Sequence, residues 1–227
     1  MGGFVRTTST TVTAALACLT LGATVAGCTH DATAKEPSAS KEPSAQQMLD
    51  TANDAMKALS SVTIDGDTIV TGGEDFSTHV TTDLKRRCAS KTTWATGPSL
   101  EQIRIGATYY VRRQGQDHWD KAPTSEAKQE DGLVQCTWEF ASFGVAKKRK
   151  PTEVDGSPAI RLLVTDKADE GGTYTFYVAT EGKPYILKVV YEGADYHSIT
   201  RFSAFDEPQD VRPPAEADIV DASDVGG

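Results

Sequence analysis

Residues 103–111 read IRIGATYYV, and this stretch decides the class of fold. Gly106 and Ala107 separate two short runs, Leu100–Ile105 and Thr108–Arg112, that are rich in β-branched and aromatic residues. A glycine-containing pair between two such runs is typical of a tight β-hairpin. The sequence therefore predicts an antiparallel sheet.

The same pattern of short strands and turn residues continues on both sides of this hairpin. A second hairpin is predicted where EGKP at residues 181–184 separates Thr173–Thr180 from Tyr185–Tyr191. Alternation or β-branched content predicts further strands at Val62–Gly66, Thr68–Thr71, Phe76–Leu84, Cys88–Ala95, Thr152–Val154, Ala159–Thr165 and Ser198–Phe205. These eleven runs predict a series of short strands with hairpin-length connections.

Two helices are predicted beside these strands. Ser44 followed by Gln47 forms a capping-box pattern at the start of the first helix. Its expected buried stripe is Met48, Ala52, Ala55, Met56 and Leu59, and its expected exposed face is Gln47, Asp50, Asn53, Asp54 and Lys57. A second helix is predicted near residues 132–144 from the spacing of Leu133, Cys136, Thr137, Phe140 and Phe143. Strands and helices together predict an α+β fold, with helices covering one face of an antiparallel sheet.

The first 28 residues predict export. Arg6 precedes a short apolar stretch, Val12–Gly27, that ends in the residues VAGC at 25–28. These four residues resemble the lipobox of bacterial lipoproteins, in which the chain is cleaved before the cysteine and the cysteine carries acyl chains such as palmitate. The resemblance implies a signal peptide at residues 1–27 and lipidation of Cys28. An ordinary secretory signal, with Cys28 as a free thiol or disulfide partner, is the alternative.

The composition changes after Cys28. Removing residues 1–27 would leave 22 Lys+Arg against 32 Asp+Glu, a formal charge of -10 in place of -9. Residues 28–43 are rich in Pro, Ser, Ala and alternating charge, which predicts a solvated tether with a reach of roughly 20–25 Å. We expect one folded domain at residues 44–210 and an acidic, irregular tail at residues 211–227.

The cysteines favour one disulfide. Cys18 lies within the signal peptide and Cys28 at the cleavage site, which leaves Cys88 and Cys136 in an exported chain. The alternative is a pair of free or metal-binding thiols, although neither cysteine has a histidine or cysteine beside it at metal-ligand spacing.

The order of lipobox, Pro/Ser tether, helix and strands resembles the actinobacterial lipoproteins of the LolA, LppX and LprG group. The strands that carry the resemblance include IRIGATYYV at 103–111, a following Trp119, and YVATEGKPYILKV at 177–189. In that superfamily an incomplete β-barrel wraps around helices and holds acyl chains in an apolar cavity. The resemblance implies two or so helices on the concave face of the sheet and a hydrophobic or lipidic ligand, with no catalysis.

The expected location is therefore the outer face of the bacterial cytoplasmic membrane, with Cys28 as the membrane anchor. The alternative function is a cell-surface protein-interaction or sensor module with a filled core and no ligand. The sequence identifies neither ligand-binding residues nor a protein partner.

Other chemistries find little support in the sequence. The net charge of -9 disfavours nucleic-acid binding, because that affinity comes mostly from Lys and Arg on phosphates. No nucleotide-binding loop, nucleophile elbow or metal-binding histidine pair is present, so we expect no cofactor, no metal and no catalytic residues. Ser38/Lys41 and Ser125/Lys128 match Ser-x-x-Lys without the further motifs that catalysis requires.

Two basic clusters stand out in this acidic chain, Lys85–Arg87 and Lys147–Lys150. They could contact anionic lipid headgroups. The alternative is a loop and a strand edge that charge protects against aggregation.

Overall fold

The hairpin predicted from residues 100–112 is present. Its strands pair antiparallel, with Ile105 opposite Thr108, and Gly106 makes the turn with a φ of 63°. A glycine tolerates this left-handed conformation because it has no Cβ. The computed structural model to which this hairpin belongs describes residues 42–123, 134–141, 144–165 and 172–221.

The described residues contain one α-helix and 12 strands in one open sheet. Helix α1 spans Ala45–Lys57. The strands are β1 Val62–Val70, β2 Phe76–Thr82, β3 Arg87–Trp94, β4 Ser99–Ile105, β5 Thr108–Arg113, β6 Trp119–Pro123, β7 Val145–Val154, β8 Ser157–Thr165, β9 Thr173–Ala179, β10 Ile186–Glu192, β11 Tyr196–Ser203 and β12 Ile219–Asp221. Their order across the sheet is β12-β6-β5-β4-β3-β2-β1-β11-β10-β9-β8-β7. Neighbours pair antiparallel except β12 and β6, which pair parallel.

The predicted capping box at the start of α1 is confirmed. The Ser44 hydroxyl accepts from the Gln47 backbone N–H at 3.1 Å, and the Gln47 side chain accepts from the Ser44 N–H at 2.9 Å. The expected faces of the helix need two corrections. Asn53, expected on the exposed face, is buried, and the fully buried Leu49 was absent from the predicted stripe.

The main hydrophobic core lies between α1 and the sheet. The helix contacts β7, β9 and β10. The core residues are Leu49, Ala52, Met56, Leu59, Val62, Ile64, Phe140, Ile160, Leu162, Val164, Phe176, Val178, Ile186 and Phe202. All of them lie between residues 42 and 221, so the chain from residue 42 onward contains its own core.

The second helix predicted near residues 132–144 is wrong for the part that the structure describes. Residues 134–141 have no helical hydrogen bonding, and strand β7 begins at Val145. Cys136 and Phe140 are buried, four residues apart as in a helix stripe, but a disulfide and an aromatic contact hold them instead. Residues 132, 133, 142 and 143 of that prediction lie outside the described residues.

The segment predicted to be an irregular tail contains ordered backbone. A short 3-10 helix spans Glu216–Asp218 and leads into β12, which pairs with Trp119–Lys121 of β6. Upstream, the buried Val211 accepts a hydrogen bond at its carbonyl from the Arg87 guanidinium. A three-residue strand is too short to leave a clear alternating pattern in the sequence.

No helix in the described part of the chain has the length and apolar character needed to cross a membrane.

Candidate functional site

The face of the sheet that carries α1, here called the inner face, has an apolar half and a polar half. Strand residues alternate between faces, and directly paired residues share one. On β1 and β8–β11 the inner residues are apolar, among them Ile64, Leu162 and Phe202. Across β3 and β4 the inner residues include the buried polar pair Ser90 and Gln102, whose side chains lie 3.4 Å apart.

Residues 134–141 lie on this inner face and are held by three links. Cys136 forms the predicted disulfide with Cys88 of β3, with Cα atoms 5.1 Å apart. The Thr82 hydroxyl donates to the Cys136 carbonyl at 2.5 Å. The Val134 N–H donates to the Gln102 side-chain oxygen at 2.9 Å. These buried bonds satisfy polar groups of the polar half, so the segment acts as its cover.

The far end of this segment fills the apolar half. The Phe140 ring meets the Phe202 ring edge-on at a centroid distance of 5.8 Å, and the Trp138 ring does so at 6.1 Å. Phe140 is buried, whereas Trp138 is 44% exposed. An aromatic side chain thus occupies the middle of the inner face, where helix α1 alone leaves the sheet uncovered.

An apolar pocket remains between the start of α1 and the sheet. Its volume is about 250 Å³. Met48 of α1, Ile160 of β8 and Val178 of β9 line it. The rest of its wall is formed by Pro43, Ala179, Thr180, Pro184 and the exposed Gln47 and Thr51 of α1. Ligand pockets for small molecules are usually about 300–1,000 Å³, so this pocket has room only for a narrow group.

Sequence reasoning missed every residue of this pocket. Successive strand residues point to opposite faces, so the side chains of Tyr177 and Val178 must lie on different faces of the sheet. This alternation is the one sequence signal that could have indicated Val178. Ile160 and Pro184 reach the same pocket only through strand register and a turn, which no sequence pattern reports. Met48 was correctly assigned to the apolar stripe of α1, and it lines the pocket while packing against the core.

Within the described ranges, the histidines and the other polar residues considered in the sequence do not come together in one site. His79 lies on β2 with its Nδ1 atom 2.7 Å from Asp65 of β1, and His118 contacts Asp117 and Asp120. The predicted strands Val62–Gly66 and Thr68–Thr71 form one continuous strand, β1, so Asp67 does not break it. Cys28, Ser38, Lys41, Ser125 and Lys128 lie outside the described residues.

The two basic clusters occupy opposite regions of the sheet. Lys85 and Arg86 sit in the turn before β3, where Asp83 accepts their backbone N–H groups. Lys147–Lys150 forms part of β7, an outermost strand of the sheet. No strand was predicted over residues 147–150, so the position of this cluster on an outermost strand is a finding of the structure.

Three of the five carboxyl groups with lowered pKa values in the described part of the chain, Asp206, Glu101 and Asp83, lie in turns and strand pairs and do not line the pocket. A backbone hydrogen bond from Ser60 is the main cause that lowers the pKa of Asp206 to about 2. Burial raises the pKa of Glu101, but the hydrogen bond and charge of Arg112 outweigh it and lower the pKa. Burial likewise raises the pKa of Asp83, and three backbone N–H groups reverse the shift. Each of these groups stabilises a turn or a strand pair.

Across the described ranges, no group of three or more His, Cys, Asp or Glu side chains is arranged to hold a metal ion.

An open, mostly antiparallel sheet with a helix on one face defines the LolA/LppX/LprG-like fold, and solved structures confirm it. Lipoprotein LppX from Mycobacterium tuberculosis matches 73% of this chain and 96% of its own, with a TM-score of 0.54 and 17% identity. LprF from Mycobacterium bovis matches 75% of this chain and 97% of its own, with a TM-score of 0.57 and 14% identity. These likenesses establish the fold that the sequence resemblance predicted.

No protein-family model matches the sequence, and no curated protein matches it.

Proposed function

We propose that this protein is a membrane-anchored, extracytoplasmic lipoprotein that binds a lipid or other hydrophobic ligand on the inner face of its sheet, without catalysis. The fold is that of LppX, itself a lipoprotein. The observation that carries the proposal is the apolar pocket beside Met48, Ile160 and Val178, which opens where the chain enters the domain at Pro43.

The chemistry of the pocket fits an acyl chain. Its wall is formed mainly by aliphatic side chains and two prolines, and none of the carboxyl groups with a shifted pKa lines it. Burial of an acyl chain is favoured by about 0.8 kcal/mol per CH₂ group, so a few methylene groups suffice for measurable binding. The small volume places only part of the chain within the pocket and leaves the remainder along the exposed side of α1.

The anchor is proposed on different grounds. The lipobox-like residues 25–28 and the tether at 28–43 support acylation of Cys28, which would hold the domain on the outer face of the cytoplasmic membrane. One acyl chain gives only marginal binding, whereas two give stable attachment.

Binding of a fluorescent fatty acid, dansyl-undecanoic acid, tests the ligand site. The domain should enhance its emission, and Met48→Trp should abolish the enhancement because the larger ring fills a pocket of about 250 Å³. Asp50→Trp is the matched control, since it places the same ring on the same helix at an exposed position. Equal binding by both variants, or no binding by the wild type, would contradict the proposed site.

One observation favours the alternative, a protein-interaction or sensor module with a filled core. Phe140 packs in the core against Phe202, and the pocket at the start of α1 has a volume of only about 250 Å³. On this alternative the wild type takes up no fatty acid, and a stable protein partner co-purifies with it.

A further inference from the structure

Five basic side chains gather at one edge of the sheet. Lys147, Arg149 and Lys150 belong to the outermost strand β7, Arg161 to β8 and Lys188 to β10. We name these five residues the basic edge. None of them forms a salt bridge with another residue of the described ranges.

Two members of this set, Arg161 and Lys188, lie on strands inside the sheet. Strand register brings them together on the outer face of the sheet, which is the face opposite α1. Tyr177 of β9 pairs with Arg161 on one side and with Lys188 on the other. The Lys188 ammonium lies 4.0 Å from the centre of the Tyr177 ring. The Arg161 side chain reaches the Lys150 carbonyl at 3.3 Å, which joins the row to the edge strand.

Protection of a strand edge does not account for this arrangement. Charges on an outermost strand such as β7 prevent edge-to-edge pairing. Arg161 and Lys188 lie on strands with neighbours on both sides, where no edge needs protection. A chain with a net charge of -9 nevertheless concentrates five cations here, which indicates an anionic partner.

The start of the folded domain lies beside the basic edge. Lys148 also belongs to β7 but is not a member of the basic edge, because it forms an ion pair with Glu42 at 2.7 Å. Glu42 precedes Pro43, which lines the apolar pocket. The tether that leads back to Cys28 therefore leaves the domain next to both the basic edge and the pocket.

We propose that the basic edge docks the domain onto anionic phospholipid headgroups. This docking rests on the proposed anchoring through Cys28. Electrostatic docking would add to the acyl anchor. The net negative charge of the remaining surface would be repelled by the same headgroups, which favours a single orientation.

Vesicle flotation tests this docking. The chain from residue 29 retains the whole core but lacks Cys28, so it reports the electrostatic contribution alone. It should bind phosphatidylcholine vesicles that contain phosphatidylglycerol, and it should not bind vesicles of pure phosphatidylcholine. The bound protein should dissociate at high salt. Lys147→Glu/Lys150→Glu should weaken binding at least roughly 30-fold, from about 1 kcal/mol per basic residue near the surface and 1.4 kcal/mol per tenfold change.

Lys85→Glu/Arg86→Glu is the matched control. It changes the net charge equally in an exposed turn at the other basic cluster, and it should bind vesicles far better than the β7 variant. Equal losses in the two variants would overturn the proposal. Indifference of the wild type to phosphatidylglycerol would also overturn it and would point to an acidic protein as the partner.

Fatty-acid uptake in the absence of vesicles separates this proposal from the proposed function. Lys147→Glu/Lys150→Glu should take up dansyl-undecanoic acid as the wild type does. Uptake without vesicle docking overturns the docking alone. Vesicle docking without uptake overturns the ligand site and leaves the docking in place.

Discussion

At the scale of single residues, Asp206 links the end of the sheet to the chain that follows α1. Its carboxylate accepts from the Ser60 N–H at 2.8 Å, from the Ser60 hydroxyl at 3.1 Å and from the Tyr185 hydroxyl at 3.1 Å. The Lys183 ammonium lies 3.3 Å away. These donors favour the charged form and lower its pKa to about 2.

Asp206→Asn should destabilise the protein by about 1 kcal/mol at pH 7, a value reduced for the solvent exposure of the side chain. The folded-state pKa lies below its ordinary value, so this stability is present above about pH 4 and is lost as pH falls towards 2. Urea unfolding at several pH values measures it. Glu181→Gln, at an exposed position in the adjacent turn, is the control and should leave stability nearly unchanged. A difference in unfolding free energy between the wild type and Asp206→Asn that stayed constant between pH 7 and pH 2 would contradict this role.

Sequence reasoning at this scale succeeded where covalent or local chemistry decides. The Cys88–Cys136 disulfide followed from elimination within an exported chain, and the Ser44 capping box from four consecutive residues. It failed at Asn53, because polarity suggested solvent whereas helix geometry places this residue beside Leu49 and Ala52 in the core. Burial of an amide depends on partners elsewhere in the fold, which the sequence does not report.

At the scale of elements, residues 134–141 do not form a helix but cover the polar half of the inner face, to which they are bonded. Hydrophobic spacing at three and four residues predicted a helix there, but the disulfide and the Thr82 and Gln102 hydrogen bonds fix an irregular backbone. Strand β7 was predicted only in its last three residues, since its run of four consecutive basic residues hides the alternation. Tertiary links outweigh local periodicity in both places.

Replacing Cys88 and Cys136 together by Ser should therefore cost about 2–4 kcal/mol of unfolding free energy. The two cysteines are 48 residues apart in the sequence. The disulfide reduces the conformational freedom of the unfolded chain, and it also holds residues 134–141 against the sheet. Urea unfolding of the variant and of the reduced wild type should give the same midpoint, below that of the oxidised wild type. Equal stability of the oxidised wild type and the variant would contradict this account of the cover.

At the scale of the whole molecule, the sequence predicted the antiparallel sheet, the helix on one face and the resemblance to LolA-like lipoproteins. It did not predict the strand order, in which β1 lies between β2 and β11 and joins distant parts of the chain. Register between distant strands decides which residues share a face. The pocket and the basic edge both depend on that register, so neither could be read from the sequence.

In the proposed function, a lipid-anchored domain holds a second, non-covalent hydrophobic molecule. Native mass spectrometry of the protein extracted from its own membrane tests it most directly. We expect a chain that begins at an acylated Cys28 and carries a removable acyl species, which Met48→Trp no longer retains. A single mass without a removable adduct, in the wild type as in Met48→Trp, would contradict it.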